Sequence, residues 1–160
     1  MPKSPKTIVH TLFTALEKLR SYCAYQERSQ QEVRDKLYSL GMTKDEVEQG
    51  LTALITEGFV NEGRFAEAYA RGKHRTKRWG RIKIRVGLKR HGVSDACIKR
   101  ALENLSDEEY LATLEKLLEV KRKVLGGKDD FKSRQAILRA GISHGFEPDL
   151  VLECMKMDVD

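Results

Sequence analysis

The chain has 160 residues, of which 40% are hydrophobic and 34% are charged, and its formal net charge is +6. No stretch approaches the roughly 18 consecutive apolar residues that a membrane span needs, and a charged segment follows the basic N-terminus, so we expect a cytoplasmic protein without membrane association. Cys23, Cys97 and Cys154 lie far apart and are odd in number, which favours reduced, buried thiols over disulfides or a metal site.

The first third of the chain predicts three helices. Apolar residues recur at three- and four-residue steps over 7–25, which indicates the buried face of a first helix, formed by Ile8, Leu12, Leu16, Leu19 and Cys23. A capping box at Ser29 begins the second helix, and Gly41 ends it. A second capping box at Thr43 begins the third helix, which Gly58 ends.

The same pattern returns around Gly92, 51 residues after Gly41. The segment 82–88 alternates between apolar and other residues, which by itself favours a β-strand. We predict a helix instead, because the register of the repeat places Ile84 where the first copy has Val33.

A looser third copy surrounds Gly145, 53 residues after Gly92. Three further helices are predicted here, over about 106–125, 129–144 and 148–157. This copy matches least well, so its register is left open.

A unit that recurs about every 50 residues is typical of stacked repeats rather than of a fold with one catalytic cleft. We therefore predict an all-α fold, a tandem array of three three-helix (helix-turn-helix-like) repeats, elongated and curved. The predicted repeats span 1–57, 58–105 and 106–160. The shared register predicts eight buried side chains: Val33, Leu37, Val47, Leu51, Ile84, Leu88, Ile98 and Leu102.

The sequence offers no pattern for catalysis. It has no phosphate-binding loop of the Gly-x4-Gly-Lys-Ser/Thr type and no paired Cys or His ligands. We therefore expect no enzymatic activity, no cofactor and no metal. The four histidines are expected to be surface or partly packed groups.

Positive charge is concentrated in one segment. From Arg64 to His91 there are eleven Lys and Arg against one acid, Glu67, a net charge of +10 that leaves −4 for the rest of the chain. Such a run is either a solvated face or a surface for nucleic acid or an acidic protein, and we favour the surface. Trp79, within the run, is either a contact residue or a core anchor. The predicted partner- or DNA-binding residues are Arg71, Lys73, Arg75, Lys77, Arg78, Arg81, Arg85 and Lys89.

These motifs together resemble the RecX family. The resemblance is carried by Gly-Phe-Val-Asn-Glu-x-Arg-Phe-Ala-x2-Tyr at 58–69, a basic block, Trp-Gly at 79–80 and Leu-x3-Gly-Val at 88–93. The segment 28–41 is similar to the first repeat of that family. The resemblance covers about residues 15–157.

The resemblance implies a regulator of the RecA recombinase. RecX proteins are helical arrays that lie in the groove of the RecA–DNA filament and inhibit recombinase, ATPase and co-protease activities, which modulates DNA repair and the SOS response. We expect a monomer whose partner is the RecA nucleoprotein filament, and direct contact with single- or double-stranded DNA is left open. The alternative is a helix-turn-helix module that binds nucleic acid directly. Binding to RecA filaments or to bare DNA at physiological salt separates the two.

Overall fold

The computed structural model describes residues 8–157 as helices joined by short turns. The helices are α1 (Leu12–Tyr25), α2 (Gln30–Ser39), α3 (Lys44–Thr56), α4 (Glu62–Lys77), α5 (Arg81–Arg90), α6 (Asp95–Glu103), α7 (Asp107–Val124), α8 (Phe131–Ser143) and α9 (Pro148–Met157). No strand occurs in this range, so the all-α prediction is confirmed, including the helix across 82–88. No helix among these residues has the length and apolar character to cross a membrane.

Local side-chain caps set the helix starts. Ser29 Oγ accepts a hydrogen bond from the Glu32 N–H at 3.0 Å, and the Glu32 carboxylate accepts one from the Ser29 N–H at 3.1 Å. Thr43 and Glu46 make the same reciprocal pair at 3.3 and 3.1 Å. Each such cap is worth about 1 kcal/mol, because it satisfies N–H groups that have no partner within the helix.

The first helix begins later than predicted. Thr11 caps α1, because its Oγ1 accepts from the Thr14 N–H at 3.2 Å while Thr14 Oγ1 accepts from the Thr11 N–H at 2.9 Å. Ile8, which was expected on the buried face, is 72% exposed. Thr7, the predicted start, lies outside the described residues. The side-chain cap at Thr11 therefore sets the start of the helix, although the apolar periodicity extends further towards the N-terminus.

The predicted core is confirmed. All eight apolar side chains that the repeat register assigns to the interior are at most 4% exposed. Burial of an aliphatic side chain of this size contributes about 1.5–3 kcal/mol, so the shared register accounts for much of the stability of the first two repeats.

The second helix of each repeat ends at an equivalent glycine. Gly41, Gly92 and Gly145 have φ values of 86°, 75° and 92°. In each case the next N–H donates to the carbonyl four residues before the glycine, at 3.1–3.2 Å, which is the pattern of a Schellman turn. The third repeat therefore keeps the register of the others, with Gly141 where they have leucine. A Cβ on Gly141 would lie 2.8 Å from a methyl group of Val151, so Val151 fills the space that leucine occupies elsewhere.

The chain forms two compact units, one up to Phe65 and one from Ala66. In the first, α1, α2 and α3 enclose a core that includes Leu19 and Leu54. The second contains a core built on Tyr110 and Phe146 from the third repeat. The repeat boundaries at 1–57, 58–105 and 106–160 stay a prediction, as do elongation and curvature.

Candidate interaction surface

The basic segment occupies α4 from Arg64 onward, the turn that follows, and α5. Because α5 turns Ile84 and Leu88 inward, Arg85 between them and Lys89 after them are exposed. Five of the predicted contact residues are exposed: Arg71, Arg75, Lys77, Arg85 and Lys89. Three are half-buried: Lys73, Arg78 and Arg81.

Arg78 adopts a backbone conformation that usually belongs to glycine. Its φ is +55°, and it is the only non-glycine residue with positive φ in the range 8–157. Arg78 follows the last residue of α4, and the Trp79 N–H after it donates to the Lys73 carbonyl at 3.3 Å. A left-handed conformation costs a side-chain-bearing residue about 1–2 kcal/mol.

Arg81 makes its ion pairs inside the chain. Its Nη1 lies 2.9 Å from the Glu147 carboxylate and its Nη2 lies 2.9 Å from Asp107. The guanidinium also covers the Tyr110 ring, with 3.7 Å between Cζ and the ring centroid, and the side chain is only 25% exposed. In the structure, Arg81 thus serves to hold α5 against the third repeat.

Tyr110 lies beneath Arg81 and completes this network. Its hydroxyl accepts a hydrogen bond from the Arg81 N–H at 3.0 Å and donates one to Glu147. Burial, and then the hydrogen bond to Glu147, raise the pKa of Tyr110 well above its usual value.

His74 packs against the same ring and was expected nearer the surface. It is 4% exposed and its ring stacks on Tyr110 with centroids 5.2 Å apart. Its Nδ1 lies 2.9 Å from the Trp79 carbonyl oxygen and must carry the proton, because a carbonyl can only accept. The stack holds His74 in the interior. The sequence around His74 does not show that it has this ring partner.

Two glycines bring the backbones of the second and third repeats into contact. The Gly80 N–H donates to the His144 carbonyl at 2.7 Å, and the Ile82 N–H donates to the Gly145 carbonyl at 3.0 Å. A Cβ on Gly80 would lie 2.4 Å from the Gly145 carbonyl oxygen. We call this contact, together with Arg81, Tyr110 and Glu147, the repeat joint.

Two further ion pairs of the segment are long and solvated. Arg75 lies 3.9 Å from Glu109, and Lys89 lies 3.9 Å from Asp95. Both basic side chains are more than half exposed, so these pairs contribute little to folding and leave the cations accessible.

The structure adds residues that the sequence analysis did not select. Trp79 is half-buried, and the ammonium groups of Lys73 and Lys83 lie 5.1 and 5.0 Å from the centroid of its ring. Tyr69 lies edge-on to Trp79 at 6.4 Å between centroids. The four-residue spacing from Tyr69 to Lys73 within α4 was a usable signal, because such pairs meet on a helix face. Trp79 lies in the turn between α4 and α5, so helical spacing did not predict its contact with Lys83.

Comparisons with known families and proteins all point to the same family. The family described as "RecX, first three-helix domain" matches residues 15–52, and "RecX, second three-helix domain" matches residues 61–102. "Regulatory protein RecX" of Clostridium perfringens strain 13 is 32% identical over 124 residues, which cover 76% of this chain and 58% of that protein. "Regulatory protein RecX" of Bacillus mycoides is 24% identical over 136 residues, or 85% of this chain and 50% of that protein. The chain thus spans little more than half the length of these relatives.

Solved structures show the same fold. The crystal structure of RecX from Lactobacillus salivarius superimposes with a TM-score of 0.83 and 23% identity, covering 93% of this chain and 97% of that one. A crystal structure of regulatory protein RecX gives a TM-score of 0.78 and 20% identity, covering 91% of this chain and 73% of that one. The array of helical repeats is therefore an architecture that solved proteins share.

Proposed function

This chain belongs to the RecX family of regulatory proteins, and we propose that it binds the RecA–DNA filament in its helical groove. In that position it inhibits the recombinase, ATPase and co-protease activities of RecA and so modulates DNA repair and the SOS response. The role is regulatory rather than catalytic, and the protein acts in the cytoplasm as a monomer.

The observation that carries the proposal is the exposed basic surface on α4 and α5. Arg71, Lys77 and Arg85 are exposed on helices whose other faces are buried, so their charges are presented on a rigid support. A groove occupied by DNA phosphates and flanked by protein attracts such a surface through long-range electrostatics.

The backbone conformation of Arg78 also supports this surface as the site of contact. The helix end at 78 would be less strained with glycine, which is the residue found at Gly41, Gly58, Gly92 and Gly145. Backbone strain that the fold does not require is found most often at functional sites. We infer that the arginine side chain is retained at this position for contact with the partner.

Repeats that contact successive RecA subunits gain from multivalency. Once one repeat is bound, the next binds at the high effective concentration that the short connections impose, so individually weak contacts add up to stable association.

The test is retention on filaments compared with bare DNA. RecA filaments are formed on single-stranded DNA, sedimented at physiological salt with the chain, and compared with the same DNA alone. The proposal predicts that the chain sediments with the filament at concentrations where it does not associate with bare DNA. Equal affinity for both would favour the direct DNA-binding module instead, and no retention on the filament would contradict the proposed function.

A further inference from the structure

Trp79 lies at the centre of a cluster of aromatic and basic side chains. The ammonium groups of Lys73 and Lys83 lie about equally close to its ring, at 5.1 and 5.0 Å from the centroid, and Tyr69 meets it edge-on. Lys73 also lies 5.5 Å from the Tyr69 ring. We call Tyr69, Lys73, Trp79 and Lys83 the Trp79 platform.

Neighbouring residues hold the aromatic members of the platform in place. The Tyr69 hydroxyl lies over Gly87, where an added Cβ would be 2.1 Å away, and the Tyr69 ring packs edge-on against His91 at 5.3 Å. The Trp79 carbonyl accepts the hydrogen bond of the buried His74. The first two contacts fix the Tyr69 side chain and the third fixes the Trp79 backbone before any ligand arrives, which lowers the cost of ordering on binding.

The charges at the platform are free of carboxylate partners. Within residues 8–157, neither Lys73 nor Lys83 forms an ion pair, whereas Arg81 is paired with Glu147 and Asp107. Arg90 adds a further cation close to Tyr69, where its charge lowers the pKa of the phenol while burial raises it more. The platform therefore combines the positive charge of Lys73 and Lys83 with the half-buried Trp79.

This combination suits a ligand that carries both planar rings and negative charge. Unpaired bases stack on aromatic side chains, and the phosphates that flank them meet Lys and Arg. In a duplex the base faces are hidden inside the helix, which leaves only the phosphates for contact. An acidic peptide supplies charge but no planar base.

We propose that the Trp79 platform binds single-stranded nucleic acid, with one unpaired base stacked on Trp79 and the flanking phosphates on Lys73 and Lys83. This deepens the proposed function and rests on it, since it assigns the basic surface a direct contact with the unpaired strand. An ammonium group displaced from the ring by the base stays within reach of the adjacent phosphate, so the cation–π contact is exchanged for an ion pair.

Trp79 is the only tryptophan of the chain, so intrinsic fluorescence reports on the platform alone. The full chain is titrated with single-stranded oligothymidylate, with an abasic phosphodeoxyribose oligomer of equal length, and with a duplex. We expect quenching by oligothymidylate and none by the abasic oligomer or the duplex. Equal quenching by the abasic oligomer or the duplex would show that bases are not stacked and would overturn the proposal. An acidic peptide of equal charge that quenches as strongly as oligothymidylate would assign the platform to a protein partner and overturn it as well.

A second measurement compares substituted chains with the parent chain, and it follows binding by the fluorescence anisotropy of labelled oligomers. Trp79→Leu should weaken binding of oligothymidylate roughly tenfold, the scale of one lost base–aromatic stack, and leave the abasic oligomer unaffected. The matched control is Tyr25→Leu, because Tyr25 is an aromatic side chain that is 83% exposed and lies in the other compact unit. Circular dichroism is used to check that each variant keeps its helices. Equal affinities for Trp79→Leu and the parent chain would overturn the proposal.

Failure of this inference is distinguishable from failure of the proposed function. Filament sedimentation of the parent chain is measured beside its fluorescence titration, because Trp79→Leu removes the fluorophore. Retention on filaments without quenching by oligothymidylate would overturn the stacking site and leave RecA regulation intact. Quenching by oligothymidylate without retention of the parent chain on filaments would support the stacking site and contradict RecA regulation.

Discussion

At the scale of single residues, the basic segment divides into two groups. Arg81 is held by two carboxylates and by the Tyr110 ring, whereas Arg75 has one long pair and is 62% exposed. Charge alone makes these arginines look equivalent in the sequence. Their surroundings make Arg81 a structural residue and leave Arg75 available to a partner.

Substitution of Arg81 should therefore cost stability where substitution of Arg75 does not. We expect Arg81→Gln to lower the free energy of unfolding by about 1.5–3 kcal/mol, because hydrogen bonds to charged groups are lost in a partly buried site. Arg75→Gln should stay within about 0.5 kcal/mol of the parent chain. Urea denaturation followed by circular dichroism measures both, and equal effects would contradict the role given to Arg81.

Arg78 allows stability and function to be separated. Arg78→Gly should raise the free energy of unfolding by up to about 1 kcal/mol, since glycine accepts positive φ without strain and loses part of that gain through unfolded-state entropy. The same substitution should weaken retention on RecA filaments, because a surface cation is removed. Denaturation and sedimentation are measured on one preparation. A variant that is more stable and binds equally well would remove Arg78 from the proposed contact surface.

At the scale of elements, the helices could be predicted because their signals are local. Caps at Ser29 and Thr43 and glycines at helix ends lie within a few residues of the boundaries that they set. The predicted start of α1 was wrong, because the apolar periodicity of the sequence continues before Thr11 and the cap at Thr11 was not recognised. The repeat joint could not be predicted, since Arg81 and Glu147 lie 66 residues apart and no local pattern connects them.

Equivalent glycines of the first and third repeats should respond differently to alanine. Gly41→Ala should cost about 1–2 kcal/mol, the cost of positive φ alone, because no atom lies within 4 Å of the added methyl group. Gly145→Ala should cost more, since its Cβ would lie 2.3 Å from the Lys83 Cβ and 2.7 Å from the Lys83 backbone nitrogen.

The two alanine variants are compared by thermal and urea unfolding. Gly92→Ala is a further control, because Gly92 also has positive φ and open space around its Cβ. Equal losses at the three positions would show that the repeat joint adds no constraint beyond backbone conformation.

At the scale of the whole molecule, the sequence established the class of protein more firmly than the contact surface. Repeat period, helix caps and the RecX motifs converge on the family, which the matches at 15–52 and 61–102 support. The eight predicted contact residues share only their charge, and charge does not reveal which side chains the chain uses for itself. The structure makes that distinction for Arg81 and adds Trp79 and Lys83 to the candidates.

We propose that this chain inhibits RecA through the basic surface on α4 and α5. The most direct measurement is the DNA-dependent ATPase rate of RecA against the concentration of the full chain, repeated with Arg71→Glu/Arg85→Glu. Both substituted residues are exposed, so the variant should fold normally. We predict that the parent chain suppresses ATP hydrolysis at amounts equal to or below those of RecA and that the variant requires a higher concentration. An unchanged rate with the parent chain would contradict RecA inhibition, and equal potency of the two proteins would contradict the role of the basic surface.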